Sequence, residues 1–104
     1  MTHPSSALDD VVHQRARLGI LAILDEAGRA DFAYLRDSLE LTDGNLARHL
    51  ETLEHAELIR ITKRFEDRRP RTWVSATPKG RAALRSEIAA LKSIISRVES
   101  RRAS

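Results

Sequence analysis

The sequence predicts a mainly α-helical fold that carries one small β-hairpin, and three observations predict it. Apolar residues recur three and four apart over most of the chain, as in helices with one buried face. Between residues 58 and 76 the pattern changes to β-branched residues on either side of a polar tip, as in a hairpin. The last stretch returns to helical spacing and keeps it longer than so short a chain can bury. The 104 residues suffice for one domain with a modest core. Residues 1–77 read as the compact domain, and 78–104 as a helical extension of the same unit.

Hydrophobic residues make up 41% of the chain and aromatic residues 4%, so Leu, Ile, Val and Ala must build the core. The net charge of +3 is only a weak pointer to a polyanionic partner. Arginine far outnumbers lysine, which suits bidentate phosphate and base contacts, although coding bias explains it equally well. There is no cysteine, which excludes disulfides and thiolate metal sites. No apolar run approaches the roughly 20 residues of a membrane span, and the N-terminus lacks a signal-peptide core. A soluble, cytoplasmic protein is expected. There is no HExxH spacing and no phosphate-cradling glycine loop. Six residues apart, His49 and His55 fall on different sides of a helix, and Glu51 with His55 reads as a surface pair. No catalytic residue, metal or cofactor is expected.

Residues 1–5 read as a short disordered lead. Ser6-Ala7-Leu8-Asp9 has the form of a capping box, a cap hydroxyl with a carboxylate three residues on. A long helix is expected from there to about residue 27. Leu8, Val11, Val12, Leu18, Leu21 and Leu24 form its apolar face, widened by Ile20 and Ile23. Gly28 suits the C-terminal cap, where positive φ is needed. His13 reads as a surface or half-buried histidine one turn before Arg17. Asp31 can cap a second helix at about 32–39, with Phe32, Leu35 and Leu39 inward. A short connection at Glu40 and Leu41 leads on to a third.

That third helix, about 42–54, has the features of a recognition helix laid in a DNA major groove. Thr42 is a good N-cap, and Asp43 suits the positive end of the helix dipole. Leu46, Leu50 and Leu53 make one apolar stripe, and Arg48 points almost opposite it. Gly44, Glu51 and His55 lie near Arg48, with Asn45 and Thr52 on its flank. Arginine can bond guanine bidentately, asparagine can bond adenine, and threonine can touch base edges or phosphate. We therefore assign base reading to Arg48, Asn45 and Thr52. Thr42, Gly44 and His49 are assigned to phosphate contacts and positioning, with packing against the first helix as the alternative for His49. Gly44 costs a helix about 1 kcal/mol relative to alanine, which a close approach of backbone to phosphate explains. The plain alternative is an amphipathic helix with a solvated face.

Leu58-Ile59-Arg60-Ile61-Thr62-Lys63-Arg64-Phe65 reads as a strand, residues 66–70 as a polar loop, and Arg71-Thr72-Trp73-Val74-Ser75-Ala76 as the return strand. Lys63, Arg64, Arg68, Arg69 and Arg71 lie in or beside its turn. A basic hairpin that follows a helix-turn-helix is the wing of a winged helix. Glu66 and Asp67 weaken the field there and can pair with Arg68 or Arg69. Thr77-Pro78 then starts a last helix, to about residue 101, with residues 101–104 fraying. Its Leu84, Ile88, Leu91, Ile95 and Val98 alternate spacings of four and three, a coiled-coil seam. A homodimer is inferred from it, the alternative being a helix packed wholly within the monomer.

Together these pieces resemble the small winged helix-turn-helix transcriptional regulators, the broad group that includes MarR-like and ArsR-like repressors. The likeness is to their compact winged-helix DNA-binding branch. It rests on His13-x-x-x-Arg17-Leu18-x-Ile20-Leu21, Asp31-Phe32-x-x-Leu35, Leu41-Thr42-Asp43-Gly44-Asn45-Leu46-x-x-His49-Leu50, Leu53-Glu54-x-Ala56, Arg69-Pro70-Arg71-Thr72 and Thr77-Pro78-Lys79-Gly80-Arg81. The resemblance spans about residues 8–84 and lies in the ordered set of motifs rather than in any one. It implies a dimer on a palindromic operator, with helix 42–54 in the major groove. The wing of about 63–72, around Arg68, Arg69 and Arg71, would lie on the backbone or minor groove. It also implies a repressor, with an unknown small-molecule effector left open. Two positions depart from the pattern. Glu57 stands where glycine is usual, so it is strained or the helix ends differently. Ala76 stands where leucine is usual, which leaves space for Trp73 or the long helix. A competing function is a winged-helix protein-interaction module with little DNA preference, supported by Asp43, Glu51 and Glu54 on the recognition helix.

Overall fold

The structure, a computed structural model, describes residues 2–103. Four helices and a three-stranded sheet follow one another as α1 (Arg15–Ala27), β1 (Arg29–Asp31), α2 (Phe32–Ser38), α3 (Asp43–His55), β2 (Ile59–Glu66), β3 (Arg69–Ala76) and α4 (Pro78–Ala103). A single 3-10 turn, Pro4–Ala7, precedes them and packs on α4. The antiparallel sheet has the order β1-β3-β2. Among the described residues no helix is long and apolar enough to cross a membrane. Met1 and Ser104, the outer ends of the expected lead and frayed tail, lie outside the described residues.

The first helix begins later than the capping box suggested. Ser6 donates to the His3 carbonyl instead of capping a helix (2.7 Å). The Asp9 carboxylate accepts from the Val11 amide (2.8 Å), closing a local turn of the kind that competes with helix. The true N-cap is Gln14, whose side chain accepts from the Arg17 amide (3.0 Å). The irregular run between lets Val12 reach the core while Asp9 and His13 reach Glu87 on α4. The other end of α1 is as expected, with Gly28 at φ 82°.

Both helices of the helix-turn-helix end in the same way. Leu41 donates its amide to the Arg36 carbonyl (3.0 Å) and Leu58 to that of Leu53 (2.9 Å). These six-to-one bonds define Schellman motifs, which put the residue before each donor in the left-handed region. Glutamates occupy both positions, Glu40 at φ 53° and Glu57 at φ 64°. The strain expected at Glu57 is therefore present, and the helix ends at its usual place.

The wing turn is tighter than the five-residue tip expected. It contains only Asp67 and Arg68, both with positive φ, between the paired Glu66 and Arg69. That is a two-residue type I′ turn, whose twist matches the strands. Pro70 enters the strand opposite Phe65. That pair follows the hydrogen-bonded pair next to the turn, so its missing N–H is not required by β2. Strand β1 was not anticipated. Three residues are too few to show a period, and they become a strand by pairing Arg29, Ala30 and Asp31 with Ser75, Val74 and Trp73.

Ala30, Val74, Ile59 and Ile61 lie on the inner face of the sheet, against Ile20, Leu21, Leu24, Leu35, Leu46, Leu50 and Leu53 from the helices. Ala76 faces the same core, whereas Trp73 lies on the opposite face of β3 and cannot fill the space beside it. The root of α4 is fitted closely to the end of α3. Thr77 caps α4 by accepting from the Gly80 amide (3.0 Å), and its hydroxyl donates to the Glu57 carbonyl (2.7 Å). A Cβ on Gly80 would stand 1.9 Å from the Leu58 carbonyl oxygen, so only glycine fits there.

Glu57→Gly should stabilise the fold by about 0.5–1 kcal/mol, since glycine adopts the left-handed region without a Cβ penalty and the gain is offset by its greater chain entropy. Denaturant unfolding checks this, and a lower midpoint in the variant would show that Glu57 contributes more than its strain costs.

Candidate nucleic-acid interface

Helix α3 is positioned by its apolar stripe. Leu46, Leu50 and Leu53 are sealed in the core, so Gly44, Asn45, Arg48 and Glu51 face solvent. The Thr42 hydroxyl accepts from the Asn45 amide (3.1 Å), as the cap requires. The Asp43 carboxylate accepts from Arg36 Nη1 (3.0 Å), which ties α2 to the first turn of α3. The side chains of Asn45 and Arg48 have no hydrogen-bond or ion-pair partner among the described residues. Thr52 is half-buried, and its hydroxyl donates to the Arg48 carbonyl one turn back (3.1 Å). A Cβ on Gly44 would meet nothing within 4 Å. Packing inside the chain does not ask for glycine there.

His49 takes a different place. It is half-buried between α1 and α3, where Arg17 Nη1 donates to its Nδ1 (3.2 Å). Arg17 also donates from Nε to the Val11 carbonyl (2.6 Å). One guanidinium thus joins the N-terminal run, α1 and the recognition helix. Burial, and then the charges of Arg17 and Arg48, push the His49 imidazole below its ordinary pKa.

On the wing, Lys63, Arg64, Arg68 and Arg69 are exposed and have no acidic partner among the described residues. Alternation separates them, with Lys63 and Thr72 on one face of the hairpin and Arg64 and Arg71 on the other. Arg71 is engaged inside the fold. Its Nη2 donates to Asp31 Oδ2 (2.8 Å), its Nη1 lies 3.5 Å from Glu66 Oε2, and its guanidinium lies over the Trp73 ring. Glu66 thus pairs with Arg71 and accepts from the Trp73 indole (3.1 Å), rather than pairing with Arg68 or Arg69. The Tyr34 amide first, and the Arg71 guanidinium second, hold the Asp31 carboxyl below the usual carboxylate range.

Along α4 the expected seam divides. Leu84 is 4% exposed and belongs to the core of its own chain. Ile88, Ile95 and Val98 are 40%, 54% and 53% exposed, and Leu91 is half-buried. Glu87 went unnoticed in the sequence. It is 1% exposed, and its carboxylate accepts from the Asp9 amide (2.9 Å) and from His13 Nδ1 (2.6 Å). Its only signal was a charge one residue from an expected seam position. Arg17, Arg29 and Arg36 were also missed as organising residues, since Arg17 meets His49 and Arg29 meets Trp73 only through the tertiary fold, and Arg36 meets Asp43 only across the turn between α2 and α3.

A helix-turn-helix locked beside a basic two-stranded wing defines a winged-helix protein. Residues 16–95 match the family described as winged helix DNA-binding domain, and the chain belongs to that family. It is 39% identical over 72 residues to the uncharacterized protein MJ0432 of Methanocaldococcus jannaschii, covering 69% of this chain and 78% of that one. The transcriptional regulator homologue of Pyrococcus horikoshii OT3 superposes with a TM-score of 0.86 at 30% identity, covering 94% of this chain and 98% of the other. YusO of Bacillus subtilis has the same fold, with a TM-score of 0.81 at 23% identity over 94% and 69% of the two chains. The chain is thus a winged-helix regulator and not an enzyme.

The lowered His49 pKa has a consequence for stability. Unfolded, the imidazole titrates near about 6.5. Its folded value is lower, so its contribution is complete above that pH and declines as pH falls through the folded value. Protonation also removes the acceptor for Arg17. Thermal unfolding between about pH 7.5 and 5 should therefore show a smaller loss of stability in His49→Gln than in the wild type. An identical pH dependence would remove His49 as its cause.

Proposed function

We propose that the chain is a dimeric, sequence-specific transcriptional repressor, acting in the cytoplasm on a palindromic operator in double-stranded DNA. The observation that carries this reading is the Arg48 guanidinium beside the Asn45 amide, both without a partner among the described residues and on the solvent side of a helix anchored by three buried leucines. Arginine is suited to guanine and asparagine to adenine in the major groove. Gly44 leaves the helix backbone open to a phosphate, and Thr42 holds the first turn to receive it. Thr52 orients beside Arg48, and His49 keeps the helix on α1. Arg68 and Arg69 at the wing tip, with Lys63 and Arg64 behind them, serve phosphate or the minor groove. Arg71 acts by bracing that wing. The acidity that favoured a protein-interaction module is reduced at Asp43, whose carboxylate is paired with Arg36.

Dimerisation is assigned to Ile88, Leu91, Ile95 and Val98. Helix α4 has 26 residues, roughly 39 Å of rod, and its outer half carries exposed apolar groups at coiled-coil spacing. A palindromic operator then follows from the two-fold axis of the pair.

Selection of bound fragments from genomic DNA, re-measured against random duplex at two salt concentrations, tests the reading. A recurring inverted repeat that survives the higher salt is expected, whereas uniform binding lost with salt would leave only electrostatic attraction. On a selected operator, Arg48→Ala should cost about 1–3 kcal/mol and relax preference at one base position. Equal weakening on every sequence would assign Arg48 to phosphate instead. Replacing both Leu91 and Ile95 with lysine should yield monomers in sedimentation and abolish tight operator binding. An unchanged sedimentation coefficient would exclude this seam as the dimer contact.

A further inference from the structure

We propose that the outer face of the sheet is a binding site for a compact, phosphate-bearing small molecule, separate from the DNA-reading helix. The strand register builds this face. Arg29, Ser75 and Arg60 lie side by side on β1, β3 and β2, and Asp31, Trp73 and Thr62 form the next row. Arg71 and Arg64 form the third. Residues directly opposite share a face, and so do residues two apart along a strand. Strands are about 4.8 Å apart, so Arg29, Arg60 and Arg64 surround Ser75, Trp73 and Thr62 within reach of one small ligand. These six residues, with Val74 between Trp73 and Ser75, line a pocket of about 220 Å³.

The charges do not cancel there. The carboxylates on this face, Asp31 and Glu66, are both bonded to Arg71, and Glu66 also accepts from the Trp73 indole. Arg29, Arg60 and Arg64 have no acidic partner among the described residues. Three guanidinium groups with two hydroxyls between them match the oxygens of a multiply charged phosphate. The pocket is below the roughly 300 Å³ at which drug-sized ligand sites begin, which favours a compact anion. The Trp73 ring is covered by the Arg29 and Arg71 guanidiniums at 4.0 and 4.5 Å, so it offers no free platform for stacking a base. Arg60 lies roughly 20 Å along its strand from the wing tip, so the root of this face, Arg29, Ser75 and Arg60, stands apart from Arg68 and Arg69, and Arg64 alone borders both surfaces.

Titration of the full chain with inorganic pyrophosphate, followed by backbone amide resonances at constant ionic strength, tests the proposal. Saturable shifts confined to Arg29, Arg60, Thr62, Arg64 and Ser75 are expected. Arg29→Gln combined with Arg60→Gln should weaken binding by about tenfold or more, while Arg48→Ala leaves it unchanged. Arg60→Gln alone, at an exposed position, provides the same comparison if the double variant unfolds. Shifts that never saturate, or that spread over all surface arginines as in a chloride titration, would overturn the proposal. So would a duplex that moves these resonances where pyrophosphate does not, since the face would then be part of the DNA contact. Because Arg48 and the α4 seam take no part in the assay, failure of the operator reading leaves this result unaffected.

Discussion

The carbonyls of Glu57 and Leu58 lie where the recognition helix ends, the wing begins and the long helix starts. The Thr77 hydroxyl donates to the Glu57 carbonyl, and the Thr77 amide donates to that of Leu58 (3.0 Å). Gly80 lets α4 pass against the same Leu58 oxygen. These contacts set the direction of α4 relative to α3. The strained left-handed backbone of Glu57 sustains the bend. A dimer built through α4 would therefore transmit its geometry to the recognition helices through two peptide groups rather than through a soft side-chain interface. The junction offers few ways to change their separation without unseating Thr77.

The N-terminal run makes a second connection between the same parts. Glu87 on α4 is buried, and a buried carboxylate requires hydrogen bonds from its surroundings. It receives them from the Asp9 amide and the His13 ring. Arg17 then grips the Asp10 and Val11 carbonyls and reaches His49 on α3. The run between Asp9 and Gln14 is irregular because its polar groups serve partners on two other elements. An uninterrupted helix would have turned those groups inward to its own ladder.

Arginines in this chain have two occupations, and pairing distinguishes them. Arg17, Arg36 and Arg71 each hold separate elements together through specific acceptors. Arg48, Arg64, Arg68 and Arg69 have none among the described residues. Asp31 illustrates the economy of the first group. One carboxylate caps α2 through the Tyr34 amide and braces the wing through Arg71. Of the acidic residues on α3 and the wing, Asp43 and Glu66 are already satisfied in this way.

Much of this architecture was readable from local chemistry. Thr42, Asp31, Gly28 and Thr77 mark helix ends through their own backbone or hydroxyl preferences, and Leu46, Leu50 and Leu53 mark a buried face by spacing alone. Such signals act within a few residues, so a linear reading captures them, and with them the helix-turn-helix and its wing. Long-range pairing was not readable in that way. Strand β1 exists only because β3 lies beside it, and α1 is delayed to Arg15 because Glu87 and Arg17 claim the residues before it. Leu84 belongs to the core rather than the seam, and Arg71 to Asp31 rather than the solvent, for the same reason. A side chain's partner is chosen by proximity in space, and periodicity along the chain carries no information about which distant acceptor will arrive.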